Sequence, residues 1–192
     1  MTQEPASPSI AEWTRAVGAF DDEAAARARA HQLQLTKPPG SLGRLEELGV
    51  FYAGARGGFP VAVPARARLY VFAADHGVTA EGVSPYPSSV TAAMVANFVA
   101  GGAAISVLSR ASGIELHVVD VGVASPIPPV AAAVGAAPLI SAVVRSGTRN
   151  LLRGPAMTRA EAEAAVLVGA RLAGDAAAGA YSPRWPRSRA PA

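Results

Sequence analysis

The sequence predicts an α/β protein: a Rossmann-like parallel sheet with flanking helices and a small helical N-terminal part, incomplete at the C-terminus. Three observations predict it. Leu69–Ala74 (LYVFAA) is a short, continuous apolar run, the pattern of a strand buried on both faces. A long apolar helical segment follows, and then a second strand-like run, Glu115–Val121 (ELHVVDV). Strand, helix and strand make a βαβ unit, for which a right-handed crossover is expected. Ahead of the first strand, the Ala-, Arg-, Gln- and Leu-rich text is strongly helix-forming. The resulting organisation is a helical segment over 1–60, a partial α/β core over 61–174, and a tail over 175–192 that reads as disordered or out of frame.

Composition narrows the function classes. The chain has 192 residues, 51% of them hydrophobic and 6% aromatic. Much of the apolar content is alanine, so the core should be closely packed but light. The net charge of +3 rests on Arg184, Arg187 and Arg189 and is zero without them. A nucleic-acid binder would show a clustered basic stripe interleaved with aromatics, so no nucleic-acid partner is read here. There is no cysteine, which excludes disulfides, thiolate metal sites and cysteine nucleophiles. Three separated histidines, His31, His76 and His117, give no metal-binding spacing. No signal peptide and no membrane span are expected, and the reading is a cytoplasmic protein.

In chain order, residues 1–9 are polar, carry Pro5 and Pro8, and should be loosely held. Ile10–Ala19 predicts a short helix. Asp21 or Asp22 caps the next, which runs to about Leu35. Pro38, Pro39 and Gly40 break it. Ser41 is positioned to cap a third helix with Leu42, Leu45 and Leu48 on one face. This break is either a hinge or a rigid loop presenting Lys37 or Ser41 to a ligand. The Gly- and Pro-rich 54–65 stretch reads as a linker. After the first strand, a helix from about Ser89 to Arg110 is predicted, capped by Ser88 or Ser89 and interrupted by Gly101 and Gly102. Gly113 ends it. Ala124–Pro138 is an Ala/Pro/Gly loop, and Leu139–Val144 is either strand or helix. Thr158 with Glu161 fits a capping box opening a helix to about Ala173. Beyond Ala176 the Arg/Pro/Ala/Ser text has no apolar period. It reads as a disordered tail, or as the out-of-frame product of a GC-rich gene.

Candidate function sits at the end of the first strand. Ligands in open α/β sheets bind just beyond the carboxyl ends of the strands, where Asp75-His76-Gly77 lies. A carboxylate and an imidazole there can hydrogen-bond a substrate or position a proton; the same tripeptide also makes a plain turn. His117, inside the second strand, reads as a core histidine, as do Met94 and Phe98 on the helix as core residues. Gly147, Thr148 and Asn150, between Arg145 and Arg149, form a small polar loop whose donors suit a phosphate or carboxylate.

The segments LTKPPGSLGRLEELG, AADHGVTAEGVSPYPSSVTAAMVANFVAGGAAISVLSR, VVDVGV and SGTRNLLRGPAMTRAEAEAA occur in that order. Together, over about Leu35–Gly174, they resemble the nicotinate-nucleotide–dimethylbenzimidazole phosphoribosyltransferase family. The resemblance implies phosphoribosyl transfer from nicotinate mononucleotide to 5,6-dimethylbenzimidazole, giving α-ribazole 5′-phosphate and nicotinate in cobalamin lower-ligand synthesis. It implies small-molecule substrates, a homodimer, and no metal or redox cofactor. Carried over by position, Tyr86 and Met94 fall near the base pocket, with Asp75, His76 and Ser84 around it. Where a glutamine would be expected near the start of the long helix, this chain reads Thr91-Ala92-Ala93-Met94. The family's Gly-rich acidic phosphate loop and general-base glutamate would fall beyond Ala192. No catalytic residue is therefore assigned within the chain, and the polypeptide alone is expected not to turn over. The alternative is a non-catalytic module that binds an aromatic base or nucleotide.

Overall fold

The computed structural model describes residues 8–64, 67–130 and 136–178. The N-terminal residues 1–7, the middle of the Ala124–Pro138 loop (131–135) and the tail from 179 onward, for which loose or disordered structure was expected, lie outside the described residues. The rest falls into two compact units, one within Met1–Ala65 and one within Arg66–Tyr181.

The first unit holds α1 (Ile10–Ala16), α2 (Asp22–Gln32) and α3 (Arg44–Arg56). Ser9 and Glu12 close a capping box on α1. The Asp21 carboxylate caps α2 by accepting the Ala24 N–H at 2.8 Å, as the sequence predicts. Helices α2 and α3 pack through Ala25, Ala28, Val50 and Ala53, small residues that let the backbones approach. Ser41 does not cap α3; the N-cap is Gly43, in a backbone conformation (φ 54°, ψ −131°) that only glycine adopts easily. The carboxylate of Glu46 serves the helix start instead, accepting the Leu42 N–H at 3.3 Å and a hydrogen bond from Lys37 Nζ at 2.5 Å. Lys37 is thereby spent on an internal clasp, which favours the hinge reading. The Leu42–Leu45–Leu48 face stays exposed.

The second unit is a three-stranded parallel sheet in the order β1-β2-β3, built from β1 (Arg68–Ala74), β2 (Glu115–Gly122) and β3 (Leu139–Ser141). The ambiguous Leu139 run is thus a strand, in register with Val118–Asp120. Between β1 and β2 lie α4 (Ser89–Ala100) and α5 (Ala104–Ala111). The single helix expected here is broken: Gly101 takes a left-handed φ of 83° and ends α4. The expected Ser88 cap is also absent, because the Ser88 hydroxyl pairs with Thr79 Oγ1 at 3.0 Å. Ser89–Ala111 has the length and mean hydropathy (1.7) of a membrane span, but it carries Gly101, Gly102 and Arg110, and in the fold it is two helices packed on β1 and β2.

Those helices cover one sheet face. Ala73, Ala92, Val95, Leu116 and Val118 form its buried core, joined by Leu69, Val71 and Phe98. The packing is light, as the alanine content predicts: among the described residues the largest fully buried side chains are valines 95, 118 and 119, the first two in this core. Each such valine contributes about 1.5–3 kcal/mol relative to exposure. The other face meets α6 (Arg159–Ala178), where Tyr70 Oη donates to the Leu172 carbonyl at 3.2 Å. The capping box opening α6 forms as predicted. The Thr158 N–H donates to Glu161 Oε2 at 2.7 Å, and the Glu161 N–H to Thr158 Oγ1 at 3.2 Å. The helix runs past the predicted end at Ala173, to Ala178.

Candidate base-binding site

Beyond the carboxyl ends of β1 and β2 the chain is stitched by backbone. The β1–β2 register slips between Ala73 and Ala74, leaving Val121 as an extra residue on β2. Such bulges re-aim the chain beside functional sites. Here the slip directs the Gly122 carbonyl to accept both the Asp75 N–H at 3.0 Å and the Gly147 N–H at 2.9 Å. The Thr148 N–H donates to the Asp75 carbonyl at 2.9 Å, and the Gly77 N–H donates to Thr148 Oγ1 at 3.3 Å. Glycine is required at these approaches. A Cβ on Gly122 would overlap the Arg145 carbonyl, and one on Gly77 would lie 2.6 Å from the Thr148 carbonyl oxygen. Asp120 closes β2 by accepting the N–H groups of Gly122 and Val123 at 3.0 and 2.8 Å.

A cleft of about 400 Å³ opens between this turn, the loop after it and α4. That volume lies in the range of small-molecule sites. Its apolar walls include Val71, Phe72, Met94, Val95 and Phe98, and its polar groups include Asp75, His76, Thr79, Ser84, Ser88 and Thr91. The five residues carried over for the base, Asp75, His76, Ser84, Tyr86 and Met94, all line it. Tyr86 is 69% exposed and Met94 39%. The core assignment of Met94 is thus corrected: α4 turns Ala92 and Val95 into the core and Met94 toward the cleft, whereas Phe98 touches both. Ser84 fixes the loop beside Tyr86, its hydroxyl donating to the Tyr86 carbonyl at 3.0 Å and accepting the Tyr86 N–H at 3.2 Å. The cleft combines apolar walls with a few polar groups, the composition that suits a small heteroaromatic ligand.

The second candidate loop packs against the first. Gly147 is buried, and its N–H and that of Thr148 are committed to Gly122 and Asp75. Asn150 Nδ2 donates to Glu81 Oε1 at 2.5 Å. None of the three lines the cleft. Arg149 makes a two-pronged pair with Glu161, at 2.7 and 3.1 Å. This pairing, together with the Thr158 N–H, pulls the Glu161 carboxyl from its ordinary 4.5 down to about 2. Thr91 is a cleft residue that sequence reasoning missed. The available signal was spacing: Thr91, Met94, Val95 and Phe98 fall at i, i+3, i+4 and i+7, one face of a helix.

A larger groove of about 570 Å³ lies along the end of β3 and α6, lined by small residues such as Ser141, Val143, Ala164 and Val168 together with Arg171. It offers no aromatic wall and none of the Asp75–Gly77 turn, so the smaller cleft is the better candidate.

Comparison with known proteins gives the family. A phosphoribosyltransferase family model matches residues 17–182. The chain belongs to that phosphoribosyltransferase family. It is 49% identical over 168 residues to the nicotinate-nucleotide–dimethylbenzimidazole phosphoribosyltransferase of Salinispora tropica, covering 83% of this chain and 46% of that protein. The Solidesulfovibrio magneticus protein of the same name is 50% identical, covering 88% and 46%. A crystal structure of the Thermus thermophilus protein of that name superposes with a TM-score of 0.67 at 45% identity, covering 82% of this chain and 46% of that one. The chain spans about half the length of the curated relatives it matches.

Proposed function

We propose that the cleft is the acceptor-base site of a phosphoribosyl transfer. The ribosyl C1′–N bond of nicotinate mononucleotide breaks, and a new C1′–N bond forms to 5,6-dimethylbenzimidazole as the azole loses its N–H proton. The products are α-ribazole 5′-phosphate, nicotinate and that proton. Membership of the family and the relatives' names support the reaction class. The observation that carries the site is the cleft of about 400 Å³ at the carboxyl end of β1, with Tyr86 and Met94 in its lining. Tyr86 and Met94 are assigned to the flat base, and His76 and Ser84 to its polar edge. The Gly147–Asn150 turn is assigned to the ribose-phosphate side by its seat against the Asp75–Gly77 turn alone, since its Gly147 and Thr148 N–H groups are committed inside the fold. The departing nicotinate is a cationic pyridinium and leaves readily. The acceptor nitrogen must be free of its proton, which calls for a general base. Both Asp75 oxygens already accept hydrogen bonds inside the fold, so this reading does not make Asp75 that base. A homodimer in the cytoplasm goes with the same reading.

That engagement of Asp75 also favours a second reading, a module that holds the aromatic base without transfer. Incubating the purified 192-residue chain with both substrates and assaying α-ribazole 5′-phosphate by mass spectrometry separates the two aspects. Product formation supports the transfer, and base binding with no product favours the second reading. Failure to bind the base would remove both readings.

A further inference from the structure

Asp75 is 5% exposed although it stands in the wall of a solvent-open cleft, and its carboxylate faces inward. Oδ1 accepts the Thr91 hydroxyl at 2.6 Å and Oδ2 accepts the Ala124 N–H at 2.8 Å. Its backbone is tied as well, to Gly122 and Thr148. The residue therefore joins the start of α4 to the segment after β2, at the mouth of the sheet. Thr91 leads the helical face that continues through Met94, Val95 and Phe98, and each of these residues lines the cleft. The bond orients the first turn of α4, and the neighbouring Ser88 hydroxyl makes no capping bond but ties the same turn to Thr79.

We propose that Asp75 and Thr91 are positioning residues. Through a carboxylate braced on the Ala124 N–H, they hold the α4 wall at the distance from the β1 end that admits a flat bicyclic base. The proposal rests on the acceptor-base reading for its ligand but not for its geometry. Without the Thr91 hydroxyl the first turn of α4 keeps only its Ser88–Thr79 tie and loses its link to the β1 end, which lets Met94 shift from its place in the cleft wall.

The test uses the full 192-residue chain with Thr91→Val, which keeps the shape of the side chain, and Thr91→Ser, which restores the hydroxyl. Two quantities are read: the Kd for 5,6-dimethylbenzimidazole, and the chemical shift of the Met94 methyl group without ligand. T91V is expected to weaken binding about tenfold and to move the Met94 methyl resonance, and T91S to return both toward the parent. Asp75→Asn can keep both links with the Thr91 bond reversed, and is expected to cost less than T91V. Unchanged binding and an unmoved Met94 methyl in T91V would overturn the proposal. So would loss of binding in D75N with T91V intact, which would assign Asp75 to direct ligand contact. If the parent chain does not bind the base at all, the acceptor-base reading fails, and the ligand-free Met94 shift still decides the positioning claim.

Discussion

The two ends of the same parallel strands are built differently. At the amino end, charged side chains pair with one another across β1 and β2. Arg68 meets Glu115 at 2.9 Å, His117 Nε2 meets Glu115 Oε1 at 2.8 Å, and Tyr70 reaches from Arg68 to the Leu172 carbonyl. The strand starts are thereby braced to each other and to α6. At the carboxyl end most links run through backbone groups and glycines, with the Asp75 and Asp120 carboxylates as the side-chain ties, and residues such as Tyr86 and Met94 are left facing a cleft. A brace uses its side chains up; a binding site must leave some unspent. The strand-end rule for open α/β sheets has a concrete basis here: the carboxyl ends feed loops whose glycines allow backbone to pair with backbone.

The largest effect should come from breaking the backbone stitching. Gly122→Ala forces a methyl group into the Arg145 carbonyl. It should destabilise the second unit by about 3 kcal/mol, seen as a lower urea midpoint. Tyr86→Ala removes an exposed ring from the cleft and should weaken dimethylbenzimidazole binding about tenfold while leaving the melting temperature nearly unchanged. Tyr70→Phe does the opposite at the amino end. Losing the bond to Leu172 should cost about 1 kcal/mol with base affinity unaltered. If Y70F weakened binding as much as Y86A, the division of labour between the ends would not hold.

The smallest effect is a pH dependence at the α6 start. The Glu161 carboxyl is held at about 2 rather than 4.5. A depressed carboxyl contributes stability above its unfolded value that is lost as pH falls through the folded one. Stability should therefore decline from about pH 4.5 toward pH 2, and Glu161→Gln should flatten that part of the profile. The pair is solvent-exposed, so the slope should be shallow and weaken with added salt.

Much of this was legible in the sequence, for local reasons. The apolar runs of β1 and β2, the Asp21 cap, the Thr158–Glu161 box and the strand-end position of Asp-His-Gly follow from neighbours within a few residues. The misses came where distant groups competed. Ser88 and Ser41 both looked like caps, but Ser88 was claimed by Thr79 and the third helix began at Gly43 instead. Gly101 and Gly102 announced an interruption, and only the fold shows it to be a full break. Asp75 was read as a ligand contact because its position at a strand end is visible. Its partners, Thr91 sixteen residues on and Ala124 forty-nine residues on, are set by tertiary packing that no local pattern encodes. Met94 needed the family resemblance, since a methionine at helical spacing reads equally well as core.

The measurement that tests the account most directly locates the base on the protein. The chain would be labelled at methionine and valine methyl groups and at tyrosine rings, then titrated with 5,6-dimethylbenzimidazole, recording intermolecular nuclear Overhauser contacts. The account predicts contacts from the base protons to the Met94 methyl and the Tyr86 ring. Contacts confined to Val143 and Val168 in the groove beside β3, or to no residue of the Asp75–Phe98 cleft, would contradict it.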